Sequence, residues 1–207
     1  MSVKVKLMLV EDREKWVKTF EEEICKDPRF DYLGYSTTKE HGVDMACSLE
    51  PDVVVMDIFL DQLSNREDGI VAAKEIRVKT GAKVVFFTAD DENSKLRSDA
   101  CRISFASGYV RKADYKEYAN EIYNAATKST PLKESIIENV RSQLTAAQND
   151  TLSKIIDGQI TKNSDMSGMY TDKAISKHKG AIYDKLGLGA LPDKEKEKVL
   201  IRIFRNW

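Results

Sequence analysis

The chain has 207 residues, of which 42% are hydrophobic and 32% charged, and a formal net charge of −1. At about 100–150 residues per domain this suits two domains, each with enough apolar side chains for a core, and it excludes a long disordered or fibrous protein. No run approaches the about 20 apolar residues of a membrane span, the start Met1–Val10 lacks the apolar stretch of an export signal, and the three cysteines, Cys25, Cys47 and Cys101, have no metal-ligand spacing and read as reduced, buried thiols in a cytoplasm.

Val3–Val10 is a β-branched and aliphatic run, expected as a strand. Arg13–Lys26 follows, with Trp16, Val17, Phe20 and Ile24 on one helical stripe; Asp27-Pro28 ends it, because the residue before proline is pushed out of the α region. Phe30–Ser36 reads as a second strand and His41–Leu49 as a short helix that stops before Pro51. Val53–Leu60 is a continuous apolar run interrupted by one acid, Asp57, which suits a strand buried on both faces of a parallel sheet. Gly69–Lys79 is amphipathic and ends near Gly81, Lys83–Ala89 is another buried strand, and Ser94–Ser104 is polar on one side. Gly108–Lys112 is a fifth strand and Tyr115–Thr127 a fifth helix. Strands alternating with helices predict an α/β, doubly wound, five-stranded parallel sheet over residues 1–127. Thr130-Pro131 reads as a helix start, with Thr130 as N-cap and Pro131 at the first helical position, so 128–143 is expected as a linker with helical content. Residues 144–207 show helical periodicity and no strand; Leu188–Pro192 breaks it before a last helix, Asp193–Asn206, giving a small all-α domain.

Ligands of an α/β sheet gather at the carboxyl ends of its strands. The first strand ends in Glu11-Asp12, the third carries Asp57, the fourth ends in Thr88-Ala89 and the fifth in Lys112. Three carboxylates brought together repel one another. A magnesium ion, which prefers oxygen ligands and keeps several waters, removes that conflict and leaves room for a phosphoryl oxygen. Asp57 is then a candidate nucleophile forming an acyl phosphate, Lys112 a point charge for phosphoryl oxygens, and Thr88 a hydroxyl that bonds one of them. Each residue has a plainer use as well. Asp12 suits a helix N-cap, Thr88 a strand, Tyr109 a half-buried core and Lys112 a solvated surface. Asp57 stands apart, since an acid ending a buried apolar strand is costly without a partner.

Taken in order, Val10-Glu11-Asp12, Val55-Met56-Asp57, Phe87-Thr88-Ala89 and Gly108-Tyr109-Val110-Arg111-Lys112 resemble the receiver domain of two-component response regulators, over residues 3–127. The resemblance implies a flavodoxin-like fold in which Asp57 takes a phosphoryl group from a histidine kinase. It implies that Glu11 and Asp12, with Asp57 and the backbone carbonyl of Phe59, bind Mg²⁺, that Thr88 turns toward the phosphate, and that Tyr109 changes rotamer as a switch. Two departures stand out. Asp68-Gly69 comes about four residues later than in the family, through a longer loop, Leu60–Glu67, that lacks the usual Pro. Ala113 follows Lys112, where the family often has a Pro with a cis bond.

In the second half, Leu144-Thr145, Leu152, Ile155-Ile156, Asp157-Gly158, Tyr170–His178, Ile182 and Lys185-Leu186-Gly187 resemble the LuxR/NarL-type helix-turn-helix, over 144–188. Thr171 can cap a helix on which Ala174, Ile175, His178, Ile182 and Leu186 share one face, toward the core. Lys173, Ser176, Lys177 and Gly180 share the opposite face, which would enter a major groove of double-stranded DNA, with Lys179 and Lys185 as flanking phosphate contacts. His178 reads as a packed, hydrogen-bonded side chain. The family's Ile-Ala…Leu pattern in the supporting helix is replaced here by Ser164, Asp165 and Gly168, which weaken a helix.

Charge distribution fits this division. Residues 1–127 hold 19 Lys+Arg and 24 Asp+Glu, and residues 144–207 hold 11 and 8, an acidic half followed by a mildly basic one. The leading expectation is therefore a transcription regulator, phosphorylated on Asp57, a homodimer when active and free of membranes. The rival is a protein-interaction regulator, whose degenerate helix-turn-helix binds another protein and whose lysines are surface charges. A catalytic output domain finds no support, because 144–207 lack a nucleophile–base pair or a glycine-rich phosphate loop.

Overall fold

The computed structural model describes residues 4–24, 26–60, 68–89, 100–101, 104–128, 131–159 and 171–205. The chain divides into two compact units, Met1–Glu134 and Ser135–Trp207.

Five runs rich in Val, Leu and Phe form the strands of the first unit: β1 (Val5–Val10), β2 (Phe30–Ser36), β3 (Val53–Met56), β4 (Lys83–Thr88) and β5 (Gly108–Arg111). They pair in parallel in the order β2-β1-β3-β4-β5. Winding reverses between β1 and β3, which opens a crevice beyond their carboxyl ends. Alternation along β1 feeds both layers. Leu7 and Leu9 join Val17, Phe20 and Ile24 of α1 (Glu14–Ile24) in one apolar cluster, while Val10 packs under Gly42 of α2 (Lys39–Leu49). Helix α3 (Asp68–Thr80) buries Ile70, Ala72, Ala73 and Ile76. Each large apolar side chain buried in this way contributes about 1.5–3 kcal/mol.

Several boundaries differ from the sequence reading, each for a local reason. Helix α2 begins two residues earlier than His41, because the Thr38 hydroxyl accepts from the His41 N–H and caps it. Strand β3 stops at Met56, so Asp57 lies just past its end rather than within it. The fifth helix does not start at Tyr115: Lys112–Glu117 is a 3₁₀ segment kinked at Asp114, and the α-helix, α4, runs Tyr118–Thr127. The peptide between Lys112 and Ala113 is trans. Of the cysteines, Cys101 is buried but Cys47 is exposed, since α2 packs through Gly42, Val43 and Ala46 and turns Cys47 the other way. Cys25 lies outside the described residues, as do the loop 61–67 and most of the expected helix 94–104, of which Ala100, Cys101 and Ser104 are helical.

From α5 (Pro131–Ser142), which begins in the last residues of the first unit, the described chain holds helices and turns and no strand: α6 (Ala146–Ile156), α7 (Asp172–Lys185) and α8 (Asp193–Arg205) follow. Thr145 and Gln148 form a reciprocal capping box at the start of α6, and Thr171 caps α7. Leu152, Ile155, Ile182, Leu188, Leu200 and Ile203 fill the core. Thr130 and the segment around Ser164–Gly168 lie outside the described residues.

Candidate functional site

Strand ends in the first unit carry the polar residues that matter. Glu11 and Asp12 leave β1, Asp57 leaves β3, Thr88 closes β4 and Lys112 follows β5. Lys112 sits among them: its Nζ lies 2.5 Å from Glu11 Oε2 and 2.6 Å from Asp57 Oδ2. All three are buried, Lys112 being 2% exposed. A lone buried ammonium would be costly, and here two carboxylates compensate it. Rings add to that. Nζ lies 5.1 Å from the Phe87 ring centre and 5.6 Å from that of Trp16, and the Tyr118 hydroxyl donates to the Lys112 carbonyl at 2.5 Å.

The acids are held close enough to share a cation. Glu11, Asp12 and Asp57 each offer a carboxylate oxygen, and these lie within 4.8 Å of one another. Burial, then the charge of Asp57, pushes the Glu11 carboxyl up to about 7 against the pull of Lys112. The same two causes raise Asp12. Among the described residues Asp12 Oδ1 is buried with no hydrogen-bond partner. An orphaned carboxylate oxygen beside two other acids fits a hard divalent cation.

Around the acceptor oxygen the backbone is close. The Phe59 N–H lies 3.4 Å from Asp57 Oδ1. Gly69, in the first turn of α3, donates its N–H to the Ile58 carbonyl. A Cβ there would stand 1.8 Å from the Asp57 carbonyl oxygen, so only glycine lets the helix start so near the acid. Thr88 is buried, and with Arg13, Asp57, Phe59, Ala89 and Lys112 it lines a cavity of about 270 Å³. Tyr109 is half-buried on β5, paired in register with Phe86. The structure thus brings Glu11, Asp12, Asp57, Phe59, Thr88 and Lys112 to one place. Sequence reasoning missed Arg13, Gly69 and the Trp16, Phe87 and Tyr118 rings. Trp16 read as one more member of an apolar stripe, and Gly69 as the first residue of an amphipathic segment.

In the second unit, Lys173, Ser176, Lys177 and Gly180 are exposed along one face of α7. Ile175, Ile182 and Leu186 on the other face are buried. His178 is half-buried, its Nδ1 lying 3.1 Å from the Thr151 hydroxyl, which itself donates to the Ala147 carbonyl. The two flanking lysines are engaged within the unit: Lys179 pairs with Glu197 at 2.8 Å, and Lys185 Nζ donates to the Gln143 carbonyl.

No protein-family model matches the chain. It is 25% identical over 199 residues to the transcriptional regulatory protein LiaR of Bacillus subtilis, a match covering 88% of this chain and 90% of that protein. It is 30% identical over 97 residues to a protein-glutamate methylesterase/protein-glutamine glutaminase of Photobacterium profundum. That match takes in 46% of this chain and 24% of the relative, so the chain spans about a quarter of the length of that relative. In fold it is similar to RcsB of Salmonella enterica serovar Typhimurium, solved bound to a promoter with the phosphomimetic BeF₃⁻: TM-score 0.53, 15% identity, 96% of this chain and 98% of that one.

Proposed function

We propose that this chain, a response regulator by its two-part fold and by resemblance along most of its length, accepts a phosphoryl group on Asp57 from a histidine kinase and so controls DNA binding by its second unit. The observation that carries this is the buried bridge from Lys112 to Glu11 and Asp57 beside the orphaned oxygen of Asp12. A purely structural ion pair needs one carboxylate per lysine; a third acid is a cost unless the site takes a cation and a group to be transferred.

Residues 1–127 act as the receiver, 128–143 as the linker and 144–207 as the output domain. Glu11, Asp12, Asp57 and the Phe59 carbonyl would hold Mg²⁺, which when bound neutralises charge on the incoming phosphoryl oxygens. An Asp57 oxygen is the nucleophile, Lys112 Nζ anchors a phosphoryl oxygen, and the Thr88 hydroxyl donates to another. Tyr109 follows Thr88 by changing rotamer, which biases a two-state receiver toward homodimerisation. On α7, Lys173, Ser176, Lys177 and Gly180 face the major groove, with Lys179 and Lys185 toward phosphates after exchanging their present partners. The chain acts in the cytoplasm, and the chemistry proposed for it is its own phosphorylation and dephosphorylation; the matches to methylesterases take in 46% to 62% of this chain and 24% to 38% of those relatives. Among the described residues no helix is long and apolar enough to cross a membrane.

Selection of bound fragments from random DNA, with and without acetyl phosphate and Mg²⁺, tests this. Enrichment of one sequence that needs the phosphoryl donor and disappears in Asp57→Asn is expected. Enrichment that ignores the donor, or no DNA binding at any ionic strength, would overturn DNA output under phosphoryl control and favour a protein partner.

A further inference from the structure

We infer that Arg13 is a second cationic contact for the phosphoryl group, binding the oxygens of an anionic phosphoryl donor as it approaches Asp57. This rests on Asp57 being the acceptor and adds a residue to that site. Arg13 stands in the cavity wall with Asp57, Phe59, Thr88, Ala89 and Lys112. Its backbone is fixed at both ends. The N–H donates to Glu11 Oε1 at 3.2 Å, and the carbonyl accepts from Trp16 and Val17 to open α1. The side chain therefore springs from a rigid point on the rim. Among the described residues its guanidinium forms no ion pair.

Charge explains why a second cation is needed. Glu11, Asp12 and Asp57 bring three negative charges, and Lys112, already shared between two of them, brings one positive charge. A divalent cation balances the remainder before reaction. In the transfer an Asp57 oxygen forms a bond to phosphorus, the donor's O–P bond breaks, and acetate leaves acetyl phosphate with that electron pair. The carboxylate's single charge is thereby exchanged for about −1.5 to −2 on the phosphoryl group. The loaded site is then negative by about half a charge to one charge. Lys112, already shared between two carboxylates, is counted in that balance and brings no further charge. Arg13 can, and its planar fork of donors suits two phosphoryl oxygens at once.

The test compares the full chain with Arg13→Ala and Arg13→Lys, reading phosphorylation by intact mass as acetyl phosphate is varied, and Mg²⁺ affinity by calorimetry on the unphosphorylated protein. Arg13→Ala is expected to raise the acetyl phosphate concentration for half-maximal rate about tenfold, the loss of one charged hydrogen-bonded contact, with part recovered in Arg13→Lys. Mg²⁺ affinity is expected to hold or tighten, since a nearby positive charge has been removed. An unchanged dependence on acetyl phosphate in Arg13→Ala overturns the inference. So does a parallel loss of Mg²⁺ affinity, which would mean that Arg13 holds the site together and does not bind the donor. If the natural chain is not labelled at all, the acceptor reading of Asp57 falls, and Arg13 with it.

Discussion

Lys112 is 2% exposed, bridges two buried carboxylates and lies against two aromatic rings; Lys173 and Lys177, on α7, stand in solvent. The same residue type therefore carries very different weight in the two units. A buried charge costs several kcal/mol unless its surroundings compensate it, so the compensating groups are built into the chain and visible without any ligand. An exposed lysine costs nothing in the folded protein, so its purpose shows only when a partner arrives. The first unit announces its chemistry through the strain of gathering like charges, and the second only through an arrangement of solvated side chains.

The sharpest way to break this contrast is to remove one lysine from each unit. Lys112→Ala leaves buried carboxylates unbalanced and is expected to destabilise the first unit by about 3–5 kcal/mol in urea unfolding without Mg²⁺. Adding Mg²⁺ recovers part of that, because the cation takes over the neutralisation. A loss below about 1 kcal/mol would show that the bridge is not structural. Next in size is Gly69→Ala, whose Cβ would overlap the Asp57 carbonyl oxygen. Moving the start of α3 costs about 1–3 kcal/mol, and labelling by acetyl phosphate is expected to slow with it; a variant with natural stability and rate would contradict the close approach.

The second unit calls for the opposite kind of result. Gly180 lies mid-helix, and among the described residues nothing lies within 4 Å of where a Cβ would be, so none of them requires a glycine there. Gly180→Ala is expected to raise stability by about 1 kcal/mol through helix propensity while weakening DNA binding, as crowding a groove would. Stabilisation with unaltered binding would remove Gly180 from the interface. Smallest of all, Lys177→Ala is expected to leave the unfolding curve within about 0.5 kcal/mol of the natural chain and to lower the salt dependence of DNA binding by about one counterion.

Much of the first unit was legible because burial and charge conflict in the sequence itself. Asp57 at the end of Val53–Met56 had to find a partner, and the only question was which; Lys112 answers it. Thr171 as a helix cap followed from its residue type, and the inward face of α7 from periodicity. What could not be read were distances across the fold. Nothing in Asp68-Gly69 says that the helix begins against the Asp57 carbonyl, and nothing in Arg13 says that it stands on a cavity rim. The kink at Asp114 was invisible too, because an apolar stripe is compatible with either kind of helix over one turn. Cys47 was misjudged from residue type, since the small residues of α2 decide which way it faces.

Phosphoryl transfer to Asp57 underlies every role proposed for the first unit. Incubating the intact chain with acetyl phosphate and Mg²⁺ and weighing it by mass spectrometry tests it directly. One phosphoryl adduct per chain, dependent on Mg²⁺ and missing from Asp57→Asn, is the predicted result. A chain that gains no mass, or an Asp57→Asn variant that gains it equally, would contradict the account.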